Sequence, residues 1–138
     1  CFAIIFNRKY YYRRGAVIKR SLRPKEFRTG YRGLHVPRLN KQSLINKAES
    51  LRYIRCYTNI PVLTVYYDFK DNNAYYLIAE YVKGVSISEL LEDQKGIIRK
   101  ELQGYLATLK TLKSNRLSGL SGLVIPPYRV IRRTEIDH

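Results

Sequence analysis

Lys19 and Glu49 are the two charged residues whose places in the sequence suit a chemical task. Lys19 closes the apolar run Ala16-Val17-Ile18, and Glu49 stands inside Lys47-Ala48-Glu49-Ser50-Leu51. The first run has strand character, and the second falls on a helical pattern. A lysine fixed on a strand can hold its ammonium against the inner phosphates of a bound nucleotide. A glutamate from the helix that follows can pair with that lysine and fix its rotamer. The pairing matters because an unpaired, mobile lysine loses side-chain entropy at each binding event. Both residues also have plainer roles. Lys19 can be one of many surface lysines, and Glu49 can pair with Arg52 or Tyr53 along its own helix.

Charge sets the background for that pair. The 138 residues carry a net charge of +15. Residues 1–60 hold fifteen Lys and Arg against only Glu26 and Glu49, an excess of thirteen; the rest hold eleven against nine, an excess of two. Such a field attracts polyanions: nucleic acid, an acidic membrane or a phosphate-bearing small molecule. The basic stretch from Arg8 to Arg38 is a nucleic-acid candidate, although a charge run is usually a solvated face. Tyr10, Tyr11, Tyr12, Tyr66, Tyr67, Tyr75, Tyr76 and Tyr81 are candidate stacking platforms for bases. Equally, aromatics favour half-buried positions in strands.

Other chemistries find no support. Neither His35 nor His138 has carboxylate or cysteine company at metal-ligand spacing, and no grouping of serine, histidine and acid suggests a hydrolase. Cys1 and Cys56 form no metal or redox pattern. Cys56, in an apolar-periodic stretch, is expected to be a buried free thiol, which fits a reducing cytoplasm. No apolar run approaches the roughly 20 residues of a membrane span. A chain that begins at Cys1 and lacks methionine is expected to be a fragment of a longer protein.

The elements that must position Lys19 and Glu49 follow from periodicity. Residues 2–6, 9–13 and 16–20 are short strands, broken at Asn7-Arg8 and Gly15. Residues 22–40, with Pro24, Gly30, Gly33 and Pro37, form an irregular surface connection with no core of its own. From Lys41 to Tyr57, Leu44, Ala48, Leu51 and Ile54 fall on one helical face. Val62 to Phe69 alternates, with Leu63, Val65, Tyr67 and Phe69 on one side of a strand. Asp71-Asn72-Asn73 turns the chain into a second strand, Tyr75 to Val82. Ser86-Ile87-Ser88-Glu89 fits a capping box before a short helix with Leu90 and Leu91. A longer helix spans Lys95 to Ser114, with the stripe Ile98, Leu102, Tyr105, Leu109 and Leu112. The order predicts an α+β fold: a five-stranded antiparallel sheet, one packed helix, then a short and a long helix.

With these elements in place, a resemblance emerges. Ala16 to Lys19 is close to the Val-Ala-Ile-Lys motif of protein kinases. The run from Ile4 to Val130 resembles the fungal branch of the aminoglycoside-phosphotransferase-like family. The matching stretches are Phe6-Asn7 with Tyr10-Tyr11-Tyr12, Val17 to Pro24, Ala48 to Arg52, Thr58 to Val62, and Tyr76 to Gly84. The resemblance implies a two-lobed, protein-kinase-like fold: residues 1–82 as the N-terminal lobe and residues 83–138 as the incomplete start of the C-terminal lobe. It implies ATP or GTP, with Mg, in the cleft between the lobes. Lys19 would contact the α- and β-phosphates, and Glu49 would be its ion-pair partner. Glu80, Tyr81 and Val82 would be the hinge whose backbone bonds the purine edge, although Glu80 can equally be a solvated strand end. Residues 86–93 would be the helix past the hinge, and residues 95–114 the first long helix of the second lobe.

Two departures qualify the expected activity. No Gly-x-Gly-x-x-Gly loop precedes Lys19. The His-Gly/Asn-Asp segment of the family's catalytic loop, with its following Asn and the later metal-binding Asp, is missing from these 138 residues; Asp137-His138 has the wrong order and position. The isolated chain is therefore expected to grip nucleotide without transferring phosphate. The other readings are a truncated, non-catalytic pseudokinase that binds a partner, and a basic nucleic-acid-binding module. The long-helix stripe would pack on the missing lobe or on a second copy of the chain.

Overall fold

The computed structural model describes residues 3–113. It is an α+β arrangement. A five-stranded antiparallel sheet is built from β1 (Ala3–Ile4), β2 (Arg8–Arg13), β3 (Ala16–Ser21), β6 (Val65–Asp71) and β7 (Ala74–Glu80) in the spatial order β1-β2-β3-β7-β6. Helix α1 (Asn40–Tyr57) lies between β3 and β6 in the chain and packs on one face of the sheet. Helix α2 (Glu92–Thr111) follows β7 after a single 3-10 turn, Ile87–Glu89. That turn stands where a short helix was expected, and Ser86 and Glu89 form the capping box there.

Turn chemistry explains both hairpins that matter. Arg14 and Gly15 have φ of 48° and 78°, and Asn72 and Asn73 have φ of 43° and 61°. Two consecutive left-handed residues give the turn whose twist matches that of the flanking strands, and glycine and asparagine adopt it at least cost. The hairpins set the register: Lys19 faces Tyr10 across β2 and Leu77 across β7. Since β3 is the middle strand, Lys19 sits at the centre of the sheet.

The core lies between the sheet and α1 and is small. Leu44 and Ala48 of α1 meet Leu77 of β7, all at 0% exposure, with Val65 and Tyr75 packed around them. The stripe expected on α1 is thus the packed face. Its last turn, Arg55-Cys56-Tyr57, is exposed throughout. Cys56 is therefore an exposed free thiol, not a buried one.

Two further expectations are corrected. A bulge between Val65 and Tyr67 interrupts β6, so its side chains do not alternate along the whole strand. Val65 packs against the core, Tyr67 and Phe69 face outward, and Asp68 points in toward α1. The stretch 22–40 is not wholly irregular. It contains a 3-10 turn, Pro24–Glu26, and a two-stranded sheet of β4 (Thr29–Gly30) and β5 (Gly33–Leu34), and its first residue, Leu22, is buried.

No helix among the described residues is long and apolar enough to cross a membrane. On α2, Leu102 and Leu109 are exposed, while Ile98, Tyr105 and Leu112 are partly covered. The expected positions at residues 114–138 lie outside the described residues.

Candidate functional site

Strand β3 carries Lys19 and Arg20 side by side, and the pleat sends them to opposite faces. Their surroundings differ completely. Arg20 is buried, and its guanidinium bonds Glu26 through both carboxylate oxygens, at 2.7 and 2.9 Å. Glu26 also accepts the Lys9 ammonium at 2.6 Å and the Arg23 amide at 2.8 Å. The 3-10 turn after Pro24 aims the carboxylate back at the sheet. Arg20 above all, then the Arg23 amide and Lys9, hold Glu26 well below the usual carboxylate range against the opposing effect of burial. Glu26 in turn raises the affinity of Arg20 for its proton. This network is a closed structural strut.

Lys19 points to the α1 face and, among the described residues, finds no carboxylate there. Its ammonium lies within hydrogen-bonding reach of Lys47 on α1, with the Arg8 guanidinium of β2 nearby. Arg8 donates to Ser43 Oγ on α1 at 2.9 Å. Burial first, then Lys47 and Arg8, push the Lys19 ammonium down to about 8. Like charges brought this close repel each other. Such a pair sheds a proton or takes up an anion.

Glu49 does not meet Lys19. It accepts from Arg52 at 3.2 Å, and it is close to half exposed. Arg52 reaches onward to Asp68 on β6, which also accepts the Tyr75 hydroxyl. Burial works against the Asp68 charge, but Arg52 and Tyr75 outweigh it and lower its pKa. Burial and Asp68 together push the Tyr75 phenol up to about 12. Among the described residues, Glu49 and Asp68 are thus engaged elsewhere. Lys47, and not Glu49, is the α1 residue that faces Lys19.

The expected hinge lies at the end of β7. The Glu80 amide donates to the Thr64 carbonyl at 2.9 Å, and the Thr64 amide donates to the Glu80 carboxylate at 3.2 Å. The Tyr81 amide donates to the Gly15 carbonyl at 3.0 Å, and its ring meets Tyr12 edge-on. Val82 is exposed. A cleft of about 660 Å³ lies elsewhere, between the end of α1 (Cys56, Tyr57) and α2 (Glu101, Tyr105), and Lys19 takes no part in it.

Among the described residues no three His, Cys, Asp or Glu converge in a way that could hold a metal ion. Magnesium does not fit the Lys19 cluster, because ammonium and guanidinium groups offer a cation no free lone pair. The cluster fits phosphate oxygens. Sequence reasoning missed Lys47, Arg8, Glu26 and Asp68. For Glu26 there was a signal: an acid almost alone among fifteen cations is apt to be claimed by one of them. Compared with protein-family models, curated proteins and solved structures, the chain matches none of them.

Proposed function

We propose that this chain is the nucleotide-binding lobe of a kinase-like small-molecule phosphotransferase, with Lys19 gripping the phosphates of ATP or GTP. One observation carries the reading: a partly buried lysine on the middle strand, crowded by cations and lacking a carboxylate. A group so placed favours a ligand that brings its own negative charge. The element order also agrees with the resemblance. The strand bearing the lysine is followed by a helix that packs over it, and the pairing of β7 with β3 brings the Glu80-Tyr81-Val82 segment to one end of the same sheet, beside Ala16. Because the Glu80 and Tyr81 amides are already bonded, a purine edge would meet the Val82 amide and the carbonyls of that segment. Residues 1–82 would form the lobe, and residues 83–138 the start of a second one. The stripe on α2 would pack on that second lobe or on a second copy, the latter visible as a mass that rises with concentration.

The proposed role ends at binding, because among the described residues no catalytic base or metal ligand stands near Lys19. The test is calorimetric titration of ATP into the 138-residue chain and into Lys19→Ala. A lost charge-assisted contact weakens binding by about tenfold to a hundredfold. Equal affinity for the two proteins overturns the reading. Phosphoryl transfer by the isolated chain overturns the view that it only binds.

A second reading rests on the outer face of the sheet. Tyr67 and Phe69 are exposed there, and Phe69 stacks on Tyr76 at 4.9 Å. Aromatics on an exposed sheet face of a strongly basic chain suit single-stranded nucleic acid. In that case oligonucleotide affinity falls steeply with salt and is lost on charge reversal at Arg8, Arg13 and Arg14.

A further inference from the structure

Among the described residues, the acids on both faces around this part of the sheet are already committed. Glu26 is on Arg20 and Lys9, Asp68 on Arg52 and Tyr75, Glu49 on Arg52, and Glu80 on the Thr64 amide. The strand register puts Lys19 on the same face as Arg8 and beside Leu77, which packs on Leu44 and Ala48 of α1, and Lys47, the neighbour of Ala48, comes close to the Lys19 ammonium. These three cations come from three elements: the middle strand, its neighbour β2, and the helix laid across them. Arg8 is tied by Ser43 to the same helix that carries Lys47, one turn earlier, so both cations on the rim have fixed positions relative to Lys19.

We infer that Arg8, Lys19 and Lys47 form a phosphate clamp in which the ligand's own phosphate is the missing counter-ion between sheet and helix. The inference rests on the nucleotide-binding reading and goes further, because it replaces the expected lysine–glutamate pair with a lysine–lysine pair. In a lysine–glutamate grip the protein is neutral at this point before ligand arrives. In a lysine–lysine grip the ligand-free protein is repelled at its own helix–sheet seam. Ligand binding then removes that repulsion, so the clamp favours polyphosphates over neutral parts of a nucleotide.

The probe is inorganic triphosphate, which has no base or sugar, titrated into the full 138-residue chain. Wild type is expected to bind it and to melt at a higher temperature when bound. Lys47→Glu places a carboxylate beside Lys19. It is expected to lose triphosphate affinity by about a hundredfold and to melt at a higher temperature than wild type without ligand. A merely structural lysine would give the opposite change in ligand-free melting. Lys47→Met, with no charge and similar length, keeps the test open if the reversal perturbs folding; it is expected to lose about tenfold in affinity with no fall in ligand-free melting temperature. Wild-type affinity in both Lys47 variants overturns the clamp. If Lys19→Ala still weakens ATP binding in that case, the nucleotide reading survives alone. If Lys19→Ala is also without effect, both are overturned.

Discussion

The two faces of β3 hold the same kind of residue in opposite circumstances. Arg20, turned toward the 3-10 turn, meets a carboxylate that fills its hydrogen-bonding fork. Lys19, one residue earlier and turned toward α1, meets two more cations. Their pKa values move in opposite directions accordingly, Arg20 up and Lys19 down. The contrast separates a charge that builds the fold from one that the fold holds in reserve. A buried cation with a partner is structural by default, whereas Lys19, without one, is the group that the proposed function assigns to a ligand.

The largest effect is expected from breaking the satisfied side. Glu26→Gln leaves the buried Arg20 guanidinium without its counter-charge and should cost about 3 kcal/mol in urea unfolding. The same contact has an acid signature. Glu26 binds its proton less readily when folded than when unfolded, so its contribution is complete above the ordinary value of 4.5. It is lost as pH falls from there through the depressed folded value. In Glu26→Gln this part of the acid loss should disappear from the stability profile.

The unsatisfied side should behave in reverse. The unfolded Lys19 holds its proton up to its ordinary 10.5 and the folded one only to about 8, so stability should rise as pH climbs between those values. Lys19→Met should remove that rise and stabilise the ligand-free protein at pH 7 by about 2 kcal/mol, allowing for solvent around a half-buried group. Next in size, Tyr75→Phe takes one donor from Asp68 and should cost about 1 kcal/mol. The Tyr75 phenol is raised from 10.0 to about 12, so its contribution is present below 10.0 and lost as pH rises through about 12; the phenylalanine variant should lack that loss. The smallest effect belongs to Glu49→Ala, about 0.5 kcal/mol or less for a half-exposed pair with Arg52, with ATP affinity unchanged. A large loss of ATP affinity in that variant would restore Glu49 as the partner of Lys19.

How much of this was legible in the sequence depends on how local each feature is. The α1 helix, the two hairpins and the packed stripe through Leu44 and Ala48 follow from periodicity and turn residues, which are local. The choice between Lys47 and Glu49 is not. They flank Ala48 by about 100° on either side of the helix. Which of them faces β3 depends on the direction in which the helix crosses the sheet, and periodicity carries no information about that. Asp68 was hidden for a related reason: one extra residue at the bulge reverses which face every later side chain takes. Glu26 was hidden because a proline-marked stretch looks like solvent-exposed loop, although its 3-10 turn brings the carboxylate back over the sheet.

The bulge in β6 has one more consequence, and it concerns neighbours rather than ligands. β6 is an edge strand of the sheet, and a long, regular edge bearing tyrosines and a phenylalanine would be a template on which other chains could assemble. The irregularity between Val65 and Tyr67 spoils the spacing of its free amides and carbonyls, and the charged Lys70 and Asp71 close its far end. The extra residue that turns Asp68 inward therefore also guards the protein against edge-to-edge aggregation.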